Sequence, residues 1–154
     1  MKKLLLFLAL FSIQFIYGQQ NNELHRMLKE SILDYNSWYK DSTYLKSHEP
    51  KLYLCIDGLP ARWRSKEFYD SIPMEILSWE NPKQYSKEMK KGLVLIEVSC
   101  SISGDTTEIH IFEYYITRKG KRVFHGLREG CIYTYQYNCE TKEWIRQKID
   151  RWGI

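Results

Sequence analysis

The sequence predicts an α+β fold with an N-terminal helix, a strand-helix-strand-helix-strand unit and then an antiparallel β-meander. Three observations lead to this prediction. Apolar residues recur at three- and four-residue steps over residues 23–40, as on one face of a helix. Short apolar runs alternate with polar segments over residues 51–98. Over residues 99–154, runs rich in β-branched and aromatic residues are separated by glycine, asparagine or charged turns.

Residues 1–18 have the order of parts found in a secretory signal peptide. Lys2 and Lys3 precede an apolar run over residues 4–13, and Gly18 closes the segment. We expect export to a periplasmic or extracellular compartment, with residues 19–154 forming a single domain. The apolar run is shorter than the roughly 20 residues that cross a bilayer, so we expect no stable membrane insertion.

The charge balance argues against nucleic-acid binding. The chain carries 23 basic and 19 acidic residues, and its net charge falls from +4 to +2 once Lys2 and Lys3 leave with the signal peptide. A basic cluster surrounds Gly120 between two strand-like runs, which is typical of a solvated hairpin tip. Its members are Arg118, Lys119, Lys121 and Arg122.

The four cysteines can form disulfides in an oxidising compartment. Of the three connectivities, the preferred one joins Cys55 to Cys100, in runs predicted to be neighbouring strands, and Cys131 to Cys139, which flank one short segment. Buried thiols that pack as small apolar side chains are the alternative. Because the chain has no C-x-x-C pair and its histidines are scattered, no metal or other cofactor is predicted.

The first predicted element is a helix over residues 23–40, with Asn21 or Asn22 as its N-cap. Its aromatic cluster of Tyr35, Trp38 and Tyr39 is typical of a core-facing stripe, and a ligand platform is the alternative.

Three strands and two short helices are predicted over residues 51–100. A strand over 51–57 ends at the turn sequence D-G-L-P, and a helix follows from Ser65 through Tyr69. A strand over 74–79 leads to a helix from Pro82 to Lys90, because proline is tolerated in a first helical turn. The strongest strand of the chain then runs over 93–100.

Residues 51–98 resemble the plug domain of TonB-dependent outer-membrane receptors. That family has an I/V-D-G-x-P turn after a strand, a P-x-x-I-x-S step into the next strand, and then a Y-G-x-x-x-x-N-G-V-I-x-I segment. The chain has I-D-G-L-P at 56–60, P-M-E-I-L-S at 73–78, and Tyr85 seven residues before G-L-V-L-I at 92–96. Ser86 and Lys91 stand where the family has glycine and asparagine. The resemblance implies a small plug-like scaffold used for docking, since a transporter also needs a large barrel.

Four further strands are predicted over residues 106–117, 123–127, 131–137 and 143–152. Tyr133, Tyr135 and Tyr137 share one face of the third of these. The row fits either cross-strand core packing or an exposed interaction surface, because tyrosine combines a large contact area with a polar tip.

No catalytic signature or glycine-rich phosphate loop occurs, so no catalytic residue is predicted. His110 and His125 can form an acid/base pair if they face each other across adjacent strands, although strand alternation alone brings histidines together. Glu97 and Glu113 interrupt apolar strands. Solvent-facing positions account for them, and the lining of a cavity is the alternative.

Two functions from different classes follow. The first is an exported, non-enzymatic interaction module that binds an envelope or extracellular protein through a broad surface. The second is a small-ligand protein similar to the cystatin-like and nuclear-transport-factor-like cone folds, with a helix across a curved sheet. Its apolar pocket is expected to be lined by Tyr35, Trp38, His110 and Tyr114.

Overall fold

The computed structural model describes residues 22–40, 52–64, 69–78 and 85–153. The predicted signal peptide lies outside this part, and so does most of the short helix predicted from Ser65 to Tyr69. None of the described helices combines the length and apolar character needed to span a membrane.

One long helix and a six-stranded sheet make up most of the described chain. The helix α1 covers residues 22–40. The elements after it are β1 (Leu52–Cys55), a 3-10 turn (Ala61–Trp63), β2 (Glu75–Leu77), α2 (Ser86–Lys91), β3 (Leu93–Ser103), β4 (Thr106–Lys119), β5 (Arg122–Asn138) and β6 (Glu143–Gly153).

The sheet is mixed, with strand order β2-β1-β3-β4-β5-β6. Strand β1 pairs in parallel with both β2 and β3, whereas β3 to β6 pair antiparallel through successive hairpins. Because β3 pairs with β4 from Leu93↔Ile116 to Ser103↔Thr106, it joins the parallel and antiparallel parts into one continuous sheet.

The strand-helix-strand-helix-strand unit predicted for residues 51–98 is wrong. The chain is mostly sheet, and β1, β2 and β3 form one end of the six-stranded sheet rather than a separate plug-like unit. In the described parts of the connection between β1 and β2, Ala61–Trp63 forms a 3-10 turn and Tyr69 is helical. Pairing along the whole length of β3, which sequence periodicity does not reveal, decides this arrangement.

The main core lies between α1 and one face of the sheet. The helix buries one side, as its apolar spacing predicts. Its buried members are Leu24, Met27, Leu28, Ile32, Tyr35 and Tyr39. The sheet contributes Leu54, Val94, Ile96, Val98, Ile109, Ile111, Cys131, Tyr133 and Tyr135. A second cluster forms on the opposite face, where Met89 of α2 packs on Tyr53, Leu93, Leu95 and Ile116.

Strand β5 is one strand of 17 residues, so the prediction of separate strands over 123–127 and 131–137 is wrong. The predicted break lies at Gly130, but this residue pairs with Phe112 of β4 and with Trp152 of β6. The ring of Trp152 lies over Gly130 where a side chain would otherwise stand, which lets the glycine remain inside the strand.

We expect Gly92→Ala to lower the free energy of unfolding by more than about 1 kcal/mol. Gly92 has φ 90°, and an added Cβ would overlap the Tyr115 hydroxyl. Gly126→Ala is the matched control, since its Cβ would lie 3.8 Å from the Tyr115 carbonyl oxygen. Urea unfolding of both variants checks this, and equal losses would contradict it.

Candidate functional site

The β4–β5 hairpin extends beyond the strand that flanks it. The pairing of β6 with β5 reaches Glu129↔Gly153, whereas β5 continues back to Arg122. Within the described part of the chain, residues 122–127 therefore pair with β4 alone. We call residues 122–127 the hairpin edge. Among the described strands, none pairs with the other side of this segment, where backbone N–H and C=O groups can add a further strand.

The hairpin edge is apolar as well as exposed. All of its residues are exposed. Val123 is 41% exposed, and Phe124 and Leu127 are each 49% exposed. Large apolar side chains in this number on one short exposed strand indicate a contact surface, because single scattered ones are the norm on protein surfaces.

The tip of the same hairpin is strongly basic. Arg118, Lys119, Lys121 and Arg122 lie around the turn, and no acidic residue occurs between Glu113 and Glu129. The loop between the paired residues Lys119 and Arg122 has two residues, with Gly120 at φ 61° in its first position. This is the backbone that a tight type II′ hairpin requires. The Arg118 Nε donates to the Gly120 carbonyl at 2.9 Å, which ties one basic side chain to the turn.

A β-bulge separates the hairpin edge from the covered part of the sheet. Glu113 pairs with Glu129, but the next residue, Tyr114, pairs with Leu127, so Arg128 is the extra residue of β5. Bulges redirect side chains and are frequent beside functional sites. Here the bulge lets Arg128 and Glu129 both approach Glu113.

Glu113 is the most unusual residue at this bulge because its side chain is fully buried. The Tyr35 hydroxyl of α1 donates to Glu113 Oε2 at 3.1 Å and lies 3.5 Å from Glu129 Oε1. The Arg128 Nη1 lies 2.7 Å from Glu113 Oε1, but Oε1 accepts no well-directed hydrogen bond, so this contact is an ion pair. Tyr39 lies beside the Arg128 guanidinium. We call these five residues the carboxyl cluster.

The carboxyl cluster changes the protonation of its members. Burial raises the pKa of Glu113 to about 8, and the hydrogen bond and charge of Glu129 act in the same direction, against the opposing effects of Arg128 and Tyr35. Burial followed by the Glu113 charge raises the pKa of Tyr35. The same two causes raise the pKa of Tyr39 to about 12. The cluster therefore holds a proton that an exposed carboxyl group would release near pH 4.5.

The predicted interaction surface of Tyr133, Tyr135 and Tyr137 is not an exposed row. Tyr133 and Tyr135 are buried under α1, where the Tyr133 hydroxyl donates to Asp34 Oδ2 at 2.9 Å and the Tyr135 hydroxyl lies 3.0 Å from Ser31 Oγ. Tyr137 is half-buried beside Trp144 at the end of the strand. The packing of α1 across this face accounts for the burial.

The residues predicted to line an apolar pocket lie on two faces of the sheet. Tyr35 and Trp38 belong to α1, whereas His110 and Tyr114 alternate with Ile111 and Glu113 on β4 and point away from the helix. The histidine pair is also wrong. His110 pairs with Ile132 and His125 with Ile116, so the two lie about 20 Å apart along the sheet.

Glu97 and Glu113 differ in burial. Glu97 is half-buried on the face opposite α1, whereas Glu113 is fully buried beneath the helix, so the solvent-facing position predicted for Glu113 is wrong. The covering helix lies far away in the sequence, and strand alternation alone does not reveal it.

The four cysteines are thiols, and the preferred pairing is not present. Cys55 packs in the cluster beside α2, whereas Cys100 packs against the core beneath α1, so the sheet separates them. Cys131 is buried beneath α1 and Cys139 is exposed in the turn after β5. Burial raises the pKa of Cys55 to about 11, which disfavours its thiolate.

Neither a metal site nor similarity to known proteins assigns a function to the described residues. Among the residues that the structure describes, no group of three His, Cys, Asp or Glu side chains is placed to hold a metal ion. No protein-family model, curated protein or solved structure matches the chain. The resemblance to a receptor plug thus stays a prediction from three sequence motifs.

Proposed function

We propose that the protein is an exported, non-enzymatic interaction module that binds an extended segment of a partner protein along the hairpin edge. The observation that carries this proposal is that, within the described chain, residues 122–127 pair on one side only while exposing Val123, Phe124 and Leu127. An extended peptide can add to such an edge as a further strand, with main-chain hydrogen bonds for affinity and side-chain contacts for selectivity.

The charge of the hairpin selects the chemistry of the partner. Four basic side chains surround the tip, and the strand segments beside it carry no acidic residue between Glu113 and Glu129. An acidic extended segment complements this surface and is attracted to it before docking. The same charge opposes self-association through paired hairpin edges, since that would bring eight basic side chains to one dimer.

A labelled peptide of alternating glutamate and valine tests the proposal by fluorescence anisotropy, with a lysine-valine peptide as its charge-reversed control. We expect the acidic peptide to bind and the lysine-valine peptide not to bind. We expect Phe124→Ser with Leu127→Ser to weaken binding at least about tenfold. Ile102→Ser is the matched control, because Ile102 is 55% exposed at a different hairpin. Failure to bind, or equal binding by all variants, would overturn the proposal.

The electrostatic contribution has its own control pair. Lys121→Glu should weaken acidic-peptide binding and reduce its salt dependence, because Lys121 lies in the hairpin turn. Lys87→Glu makes the same change of charge at an exposed position of α2 and should leave binding unchanged. Binding of anionic lipid vesicles in place of the acidic peptide would instead make the hairpin a membrane-contact element.

A further inference from the structure

The carboxyl cluster lies at the base of the hairpin edge. Glu113 and Glu129 are directly opposite each other, and the next pair toward the tip is Tyr114↔Leu127, which already belongs to the edge. Glu129 is also the residue that pairs with Gly153, the last described residue of β6. Within the described chain, the two carboxyl groups therefore lie where β6 ceases to flank β5, whereas β3 still pairs with β4 as far as Leu93↔Ile116.

We propose that one proton shared by Glu113 and Glu129 controls the hairpin edge, so that the strand-binding site is formed in neutral solution and lost in alkaline solution. This inference rests on the proposed function, because it concerns the regulation of the same surface. Its physical basis is the placement of two acidic side chains opposite each other beneath a helix.

The shared proton is required by the contacts of the pair. The Tyr35 hydroxyl lies 3.1 Å from Glu113 Oε2 and 3.5 Å from Glu129 Oε1, so the two carboxyl groups converge on one neutral donor. Two ionised carboxylates have no hydrogen to place between them. Like charges placed directly opposite on neighbouring strands destabilise a sheet. The burial of Glu113 reduces the screening of this repulsion by water.

The other groups facing Glu113 cannot replace the proton. Among the described residues, α1 contributes the neutral hydroxyls of Tyr35 and Tyr39, and β5 contributes the single positive charge of Arg128. The residue opposite Glu113 on β3 is Ile96, which carries no charge. Among these described groups, loss of the proton sets two acidic side chains against the one positive charge of Arg128.

The repulsion is relieved by movement of Glu129, which adjoins the hairpin edge, rather than by movement of Glu113. Glu113 is fixed beneath α1, whereas Arg128 and Glu129 are both half-buried and belong to the bulge that adjoins Leu127. Movement of Glu129 toward solvent therefore shifts the bulge and the strand segment that continues from it. Burial places the transition near pH 8, close to neutral conditions.

The affinity of the same acidic peptide, measured from about pH 7 to about pH 9.5, tests this control. That range lies above the ordinary pKa of histidine and below that of lysine. We expect at least about a tenfold loss of affinity across the transition in the wild-type protein. Glu113→Gln should retain binding throughout, because its amide does not titrate. Glu97→Gln, on the opposite face, should behave as the wild type.

A readout without peptide separates this inference from the proposed function. The methyl resonances of Leu127 should shift with the same midpoint as the carboxyl signal of Glu113 in wild-type protein and stay constant in Glu113→Gln. If no peptide binds at any pH, the proposed function fails while the Leu127 titration still reports the coupling. If peptide binds but neither affinity nor Leu127 responds near pH 8, the proton control is wrong.

Discussion

In the wild-type protein the free energy of unfolding should fall as pH rises from about 4.5 to about 8, and Glu113→Gln is expected to abolish most of that fall. The folded protein holds the Glu113 proton up to a pKa of about 8, whereas an exposed glutamate releases its proton near pH 4.5. Between these values the folded state binds more protons than the unfolded state. The stabilisation is thus fully present below pH 4.5 and is lost as pH rises through the pKa of the folded state.

The size of this effect follows from the difference between the pKa of about 8 in the folded protein and the ordinary glutamate pKa of 4.5. One pKa unit corresponds to about 1.4 kcal/mol, so the loss amounts to a few kcal/mol across the whole range. Glutamine fits the same contacts, because its amide nitrogen can donate to Glu129 while its carbonyl oxygen accepts from Tyr35. At about pH 8.5 the variant should be the more stable protein, and near pH 4.5 the difference should be small.

Urea unfolding at a series of pH values measures this difference directly. Glu97→Gln provides the control, since it removes a half-buried glutamate from the other face of the same sheet and should keep the wild-type dependence on pH. Parallel stability curves for the wild type and Glu113→Gln would show that Glu113 releases its proton as an ordinary carboxyl group does.

The contrast between Glu113 and α1 shows what the sequence can and cannot predict. The spacing of Leu24, Met27, Leu28 and Ile32 identifies the buried side of the helix, because helical periodicity is a local property. The burial of Glu113 depends on Tyr35, which lies 78 residues away in the chain. A glutamate alternating with isoleucines has the same pattern whether that face meets water or a helix.

The hairpin edge was missed for a related reason. Local sequence patterns indicate a solvated tip for the basic residues around Gly120 and a short strand for the apolar residues after them, as two separate features. Their combination on one exposed edge depends on the register of β6, which in the described chain pairs with β5 as far as Glu129↔Gly153. The signal available in sequence was the adjacency of a basic turn to V-F-H-G-L at 123–127, with no acidic residue nearby. The mixed sheet is not visible in local sequence patterns, because parallel pairing joins segments that are distant in the chain.

Tyr133→Ala is expected to cost about 3–5 kcal/mol of folding stability, the range for truncation of a large buried aromatic side chain. Tyr133 is fully buried beneath α1. Its removal leaves a cavity and takes a donor from Asp34, whose Oδ2 also accepts from Arg151 Nη2 at 2.7 Å. Because whole domains are stable by roughly 5–15 kcal/mol, this substitution should remove a large share of the total.

Two variants separate packing from hydrogen bonding and from surface effects. Tyr133→Phe keeps the ring and should cost about 1 kcal/mol for the hydroxyl. Tyr137→Ala truncates a half-buried tyrosine of the same row and should cost clearly less than Tyr133→Ala. Thermal and urea unfolding measure all three. If Tyr133→Ala were as stable as Tyr137→Ala yet failed to bind the acidic peptide, the row would be a contact surface and α1 would not cover it. Because α1 covers Tyr133, Tyr133→Ala should be less stable than Tyr137→Ala and should lower binding only by reducing the fraction of folded protein.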